Sequence, residues 1–376
     1  MLPLFPVVEN CIYLNHAAVA PWPQPTVDAL QQFAQQNLNF GASYYPTWLT
    51  VEQALREKVV TLLNADSIDN IALVKNTSEG LSFVAYGYPW HSGDNVVGIR
   101  QEFPSNRFVW QSLANKNVAF RPLDLQTLGG LTAEHALMAL CDSHTRILAV
   151  SSVQYTTGLR LNLPLLGEFC RQHGILFCVD AIQQLGVIPF DVVACQADIV
   201  VADGHKWLMG PEGLAIFYVS DAARNCLQLT QYGWHMVEHS GDYQAETFTP
   251  AASARRFECG SPNMLGIHAL NASLGLLLDT GIERIWRQVS AKIDLLADQL
   301  RQVTSVSVLS DLAVERRSGI LTFTAGAENN TRIMESFKQY PVIAAERGGG
   351  IRLSPHFYTP DSQLLATVGV IAAAVF

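Results

Sequence analysis

Lys206 stands at the end of an apolar run. Ile199 to Ala202 read as a strand covered on both faces, and Asp203, Gly204 and His205 break the run just before the lysine. A lysine that is desolvated or set beside another cation loses basicity, and its neutral amine forms Schiff bases with carbonyls. Asp180 closes a second apolar run, "ILFCV" (175–179). It serves either as a cap for the "AIQQLG" that follows or, when buried, as the carboxylate that keeps a neighbouring pyridine nitrogen protonated. In "NTSEGLSFV" (76–84), Asn76, Thr77 and Ser78 offer a helix cap and two hydroxyls at a helix N-terminus. Free backbone N–H groups and the helix dipole suit that position to a phosphate, and an ordinary cap is the other reading. Arg352 lies in "GGGIRLSP" (348–355), where glycines leave room for a small ligand and a planar guanidinium can grip a carboxylate.

These residues must be positioned by the elements around them. Apolar runs at 71–74, 95–99, 118–123, 146–153, 175–181, 198–204 and 214–219 read as strands. Helical patterns at 79–87, 104–114, 132–140 and 162–173 lie between several of them. The alternation predicts an α/β fold, a mostly parallel sheet with helices on both faces. In such sheets ligands bind beyond the carboxyl ends of the strands, where the segments carrying Thr77, Phe103, Gln154, Asp180 and Lys206 all begin. From 263 the pattern changes to long helices (263–279, 281–302), strands at 319–325 and 351–355, and a last helix from 361, which reads as a smaller α+β domain. The expected organisation is an N-terminal arm (1–22), a large domain (23–262) and a small domain (263–376).

Composition narrows the partners. Of 376 residues 49% are hydrophobic and 15% charged, and the net charge is −9, which disfavours nucleic acid and anionic membranes. No apolar run has the length of a membrane span, and "MLPLFPVVENC" lacks the basic start of a signal peptide. Seven cysteines without a CxxC pair, several inside apolar runs, read as reduced thiols of a cytoplasmic protein. No nucleotide motif of the GxxxxGK[ST] or GxGxxG type is present, and no metal site is expected. A phosphate cradle, a carboxylate for a pyridine nitrogen and a Schiff-base lysine together make the protein's side of pyridoxal-phosphate chemistry.

Eight segments, in order, carry a resemblance: "YLNHAAVAP" (13–21), "NTSEG" (76–80), "FPSNRFVW" (103–110), "SSVQYTTG" (151–158), "VDAIQQLG" (179–186), "DGHKWLMGPEG" (203–213), "RRFECGSPN" (255–263) and "RGGGIRLSPHFY" (347–358). The chain resembles fold-type I pyridoxal-phosphate enzymes of the class V aminotransferase group, which includes cysteine desulfurases, selenocysteine lyases, isopenicillin N epimerase-like proteins and kynureninases. The resemblance implies that Lys206 binds pyridoxal phosphate and moves protons at Cα, that Asp180 pairs with the pyridine nitrogen, and that Gln183 bonds the phenolic oxygen. Thr77, Ser78 and His205 then hold the phosphate, Phe103 stacks on the ring, and Gln154 contacts cofactor or substrate. Ser261 reaches the phosphate of a second subunit, implying a homodimer with sites at the interface. Arg352 binds the α-carboxylate of a small amino-acid substrate, with Arg347 before the glycines. Asn15 and His16 touch substrate, or His16 only orders the arm.

Departures from the group bear on the reaction. Desulfurases carry a nucleophilic cysteine shortly before the substrate arginine, and "VIAAERGGGIR" (342–352) has none. A persulfide-forming desulfurase is therefore disfavoured, and transamination, epimerisation and elimination remain open. A cysteine or cystine C–S lyase without an enzyme persulfide is the alternative. Asp203 occupies a place where desulfurases often have a phosphate-binding serine, and is expected to point away or to pair with Arg255 or Arg256. An α/β binding protein without catalysis is the alternative of another class, opposed by the presence of Lys206, Asp180, Gln183 and Arg352.

Overall fold

The structure, a computed structural model, describes residues 4–375. At its centre is a seven-stranded sheet in the order Ile71–Val74, Ala215–Val219, Ile199–Asp203, Leu176–Asp180, Thr145–Ser151, Asn95–Ile99, Ala119–Leu123. Ala215–Val219 is antiparallel to both neighbours, and the remaining four pairings are parallel. Six strands therefore share one direction and deliver their carboxyl ends to one rim.

Buried strands of this kind need apolar residues on both faces, and two cores divide them by parity. Ile199 and Val201 pack on one side of the sheet, while Val200 and Ala202 pack on the other. Helix Thr77–Gly87 covers the first face through Leu81 and Val84. Asn76 Oδ1 caps it, accepting from Glu79 N at 2.9 Å. Helix Leu163–His173 starts on an Asn162 cap with proline in its first turn and stops at Gly174, in a left-handed conformation.

A four-stranded antiparallel sheet holds Ser307–Val308, Leu321–Thr324, Ala345–Arg347 and Gly350–Leu353. Its Leu321, Phe323, Ile351 and Leu353 join the core of the second face. The N-terminal arm is fixed to this part: Ile12–Tyr13 pairs in parallel with Val342–Ile343, and Asn15 bridges Ser354. Helix Met264–Thr280, which the sequence pattern assigns to the small domain, lies against helices Gln24–Phe40 and Tyr45–Leu63. At Gly281 the chain turns by 79° into helix Ile282–Leu300. We propose Gly281 as the domain boundary, because the helix before it completes the large layer. Among the described residues no single helix is long and apolar enough to cross a membrane.

The segment that carries Lys206 is held by a close backbone approach. Gly186 has φ +95°, and a Cβ there would stand 2.5 Å from Trp207 O. Gly186→Ala combines overpacking with a disfavoured backbone, and should cost about 2–4 kcal/mol. Urea denaturation of the two proteins checks this; an unchanged midpoint would show that the Trp207 loop yields freely.

Candidate active site

Strand parity brings the site together. Asp203, Asp180 and Ser151 all continue the parity of the first face, at the carboxyl ends of three adjacent strands. Ser151 and Asp180 are register partners. The helix packed on that face points its N-terminus at the same rim. Between them lies a cavity of ≈ 250 Å³ lined by Ala17, Ala18, Asn76, Thr77, Ser78, Phe103, Ser105, Ser151, Tyr155, Asp180, Ile182, Gln183, Asp203, His205, Lys206, Arg347 and Arg352.

Lys206 is buried, and burial lowers its pKa to about 8 against the pull of Asp180, with Arg352 and Arg347 adding to the fall. Its Nζ lies 5.5 Å from the centre of the Phe103 ring. Burial raises Asp180 to about 6, opposed by the Ile182 N–H and by Lys206. Arg352 is 2% exposed; one guanidinium nitrogen donates to Tyr155 O at 2.7 Å, and its Nε has no partner. Burial lowers Arg352 to about 10, helped by Arg347.

The other expected residues divide by position. Thr77 lines the cavity, and its hydroxyl accepts from Asp203 N at 3.2 Å. The Ser78 hydroxyl donates to Ser105 Oγ at 2.8 Å. Gln183 accepts from Trp207 Nε1 at 2.8 Å and donates to Ala17 O at 2.9 Å, which leaves one amide hydrogen free. Asp203 does not pair with Arg255 or Arg256: it lines the cavity, 2.9 Å from His205 Nδ1, while those arginines bond carbonyls and Ser240 around residues 235–251. Strand parity turns Asp203 inward, next to the histidine two residues on.

Gln154 and Asn15 are not among the lining residues, although Gln154 is fully buried with neither amide atom bonded. His16 also lies outside the cavity. Its ring is used up by Ser354 O at 2.8 Å and Tyr358 Oη at 2.6 Å, and burial lowers its pKa to about 4. That geometry orders the arm. Ser261 is exposed and lines a separate cavity with Lys75, Gly213 and Asn263.

Two participants escaped the sequence. Glu102 is buried and accepts from Ser151 N at 2.7 Å, while its other oxygen meets the Ser151 hydroxyl. Burial raises Glu102 to about 8; the Ser151 hydrogen bonds oppose the rise, and Asp180 adds to it. A protonated Glu102 can donate to Ser151 Oγ and free the serine's own proton to point into the cavity. The only signal was an acid inside the turn "RQEFPSN" (100–106), which also reads as a solvated loop residue.

Buried polar atoms of the lining residues lack partners: Arg352 Nε and the Asp203–His205 pair, which is close but poorly aligned. Native interiors seldom leave such groups unpaired unless a ligand completes them. A pyridine aldehyde carrying a phosphate fits this donor set: an amine for the aldehyde, a carboxylate for the ring nitrogen, and a capped helix N-terminus for the phosphate.

Fold and site together define a lysine-dependent cofactor enzyme of the α/β class. The chain belongs to the aminotransferase class-V family, whose description matches residues 12–355, and is a pyridoxal-phosphate-dependent enzyme with the type I fold. A probable cysteine desulfurase of Methanothermobacter thermautotrophicus is 28% identical, over 96% of this chain and 93% of the relative. A cystine C–S lyase, C-DES, solved with its product cysteine persulfide, superposes with a TM-score of 0.89 at 23% identity, covering 98% of this chain and 99% of that one. A variant of the same lyase with glycine covalently linked to its cofactor gives 0.91 at 22% identity, covering 99% of each. These two superpositions speak for the fold.

Two measurements check the electrostatics. Only a neutral amine is acylated, and a lysine lowered to about 8 becomes neutral through that pH rather than near 10.5. Acetic anhydride labelling of cofactor-free protein, read by peptide mass spectrometry, should modify Lys206 with a midpoint near pH 8. A Lys206 midpoint near the ordinary 10.5 would refute the lowered basicity. Glu102 keeps its proton in the folded state up to about pH 8 but releases it near 4.5 when unfolded, so its contribution to stability falls as pH rises between those values. Glu102→Gln removes that loss; it should raise the melting temperature at pH 8 by a few degrees and leave it nearly unchanged at pH 5. Equal effects at both pH values would show that Glu102 is ionised in the folded protein.

Proposed function

We propose that this enzyme eliminates the sulfur substituent from Cβ of a cysteine-derived amino acid, as a C–S lyase that uses no thiol of its own. Pyridoxal phosphate, when bound, supplies the electron sink that makes the Cα proton of an attached amino acid acidic. The rest is done by this chain. Lys206 holds the cofactor, and its amine, with basicity lowered by burial, takes the Cα proton. Asp180 keeps the ring nitrogen protonated, with the Glu102–Ser151 pair beside it. Thr77, Ser78 and His205 hold the phosphate with the helix N-terminus, and Gln183 offers its remaining amide hydrogen. Phe103 covers the ring, and Arg352 fixes the α-carboxylate from a buried position, where two parallel hydrogen bonds are strong.

The hairpin before Arg352 supports this reading over sulfur transfer. Arg347 pairs with Gly350, so Gly348 and Gly349, at φ +59° and +78°, form a two-residue turn of type I′. A loop this short carries nothing over the cavity, and among the described residues no cysteine lines it. Burial also raises Cys195 to about 12 and pushes Cys170 and Cys178 higher, which makes them poor nucleophiles. Ser261, exposed and outside the cavity of its own chain, supports a homodimer in which it reaches the phosphate of the second copy.

Incubation with cystine tests the proposal. Cystine and water should give pyruvate, ammonia and cysteine persulfide, with the cleaved C–S electron pair leaving on sulfur and no mass added to the protein. The same preparation, sized by light scattering, should be dimeric. Alanine as product, with a sulfur adduct on a cysteine, would refute elimination; a monomer holding full activity would refute the shared site.

A further inference from the structure

We propose that the cavity takes amino acids bearing a second anionic group at the far end of the side chain, and that Arg347 binds that group. This rests on the functional reading above and names its substrate class. Strand register carries the argument. Ala345 pairs with Arg352, and Arg347 pairs with Gly350. Paired residues share a face, and so do residues two apart, so Arg347 and Arg352 project from the same face of one hairpin as diagonal neighbours, with Cα atoms about 7–8 Å apart. Both line the cavity.

Their surroundings give them separate tasks. Arg352 is 2% exposed, and its Nε is unpaired; it is the buried grip for one carboxylate. Arg347 is exposed at the mouth. Its recorded hydrogen bond is to Glu346 O, at 2.7 Å, and among the described residues no acidic side chain lies within salt-bridge distance of it. The two carboxylates lining the cavity, Asp180 and Asp203, are committed to the sheet rim, Asp203 beside His205. A ligand with one carboxylate would leave a second guanidinium facing it without a counter-charge. A ligand with two, one deep and one at the mouth, satisfies both. Diamino acids joined through a disulfide, and cysteines with an acidic S-substituent, have this form.

Neutral isosteres separate charge from shape. Holoenzyme should be titrated with aspartate against asparagine and with glutamate against glutamine, followed by visible absorption and calorimetry. S-(2-carboxyethyl)cysteine should be compared with its carbamoyl analogue by KM. At least one acid should bind ten-fold or more tightly than its amide. Arg347→Ala should shrink that ratio below three-fold while moving amide affinity less than two-fold, and Arg347→Lys should restore part of it. Arg352→Ala should weaken acid and amide together. No preference for any acid in the wild type would overturn the proposal, as would Arg347→Ala weakening both members of a pair equally, which would put both arginines on one carboxylate. Cofactor-loaded protein that binds none of these amino acids would instead sink the functional reading, and the proposal with it.

Discussion

Burying an ammonium is costly unless the protein offers it charge compensation or lets it become neutral, and Lys206 is placed between those outcomes. Desolvation and two guanidiniums push its proton off, while the Asp180 carboxylate holds the proton on. The resulting pKa near 8 depends on each neighbour staying where it is. Much of the large domain can be understood as fixing those neighbours. The Trp207 indole ties the lysine loop to Gln183, Gln183 ties it to the arm at Ala17, and Ala20 N donates to His205 O at 2.8 Å. Arm, loop and strand ends thus form one hydrogen-bonded frame around an amine of tuned basicity.

The sheet gives this frame its precision. Ser151, Asp180 and Asp203 are carried by three adjacent strands that are locked in register and buried on both faces, so a one-residue slip would turn each of them into the opposite core. Loops would hold the same groups less exactly in place. The two acids nearest the centre divide their roles by surroundings. Asp180, with Lys206 close by, is raised only to about 6; Glu102, equally buried and next to Asp180, is raised to about 8. Near neutral pH one is ionised and the other protonated, which avoids two negative charges in one buried place.

What could be read from the sequence follows from how local each signal is. Strand Ile199–Asp203 and the Lys206 behind it were legible because an apolar run ending in polar residues is a local pattern, and the same holds for Asp180. Arg352 stood out against three glycines. Glu102 and Ser151 were not legible, because their pairing joins segments 49 residues apart and neither is unusual in its own stretch. "LNHAA" alone left His16 open between touching substrate and ordering the arm, since its partners Ser354 and Tyr358 lie more than 300 residues away. Helix Met264–Thr280 has the helical pattern expected, and its contacts with helices Gln24–Phe40 and Tyr45–Leu63 are set by residues outside its own sequence.

The hairpin Ala345–Leu353 shows how one local choice sets several properties of the site. A type I′ turn needs two residues with positive φ, and Gly348 and Gly349 supply them without side-chain strain. With only two residues between the strands, this turn presents no thiol, and among the described residues no cysteine lines the cavity. The same tight register puts Arg347 and Arg352 on one face and aims both at the cavity that Lys206 enters. Their charge lowers the lysine's pKa as well as lining the cavity, so the hairpin that shapes the cavity also helps set how readily Lys206 gives up its proton. Lengthening the turn would relax both effects together. The shape and charge of the cavity and the basicity of its lysine are therefore coupled through a single structural element.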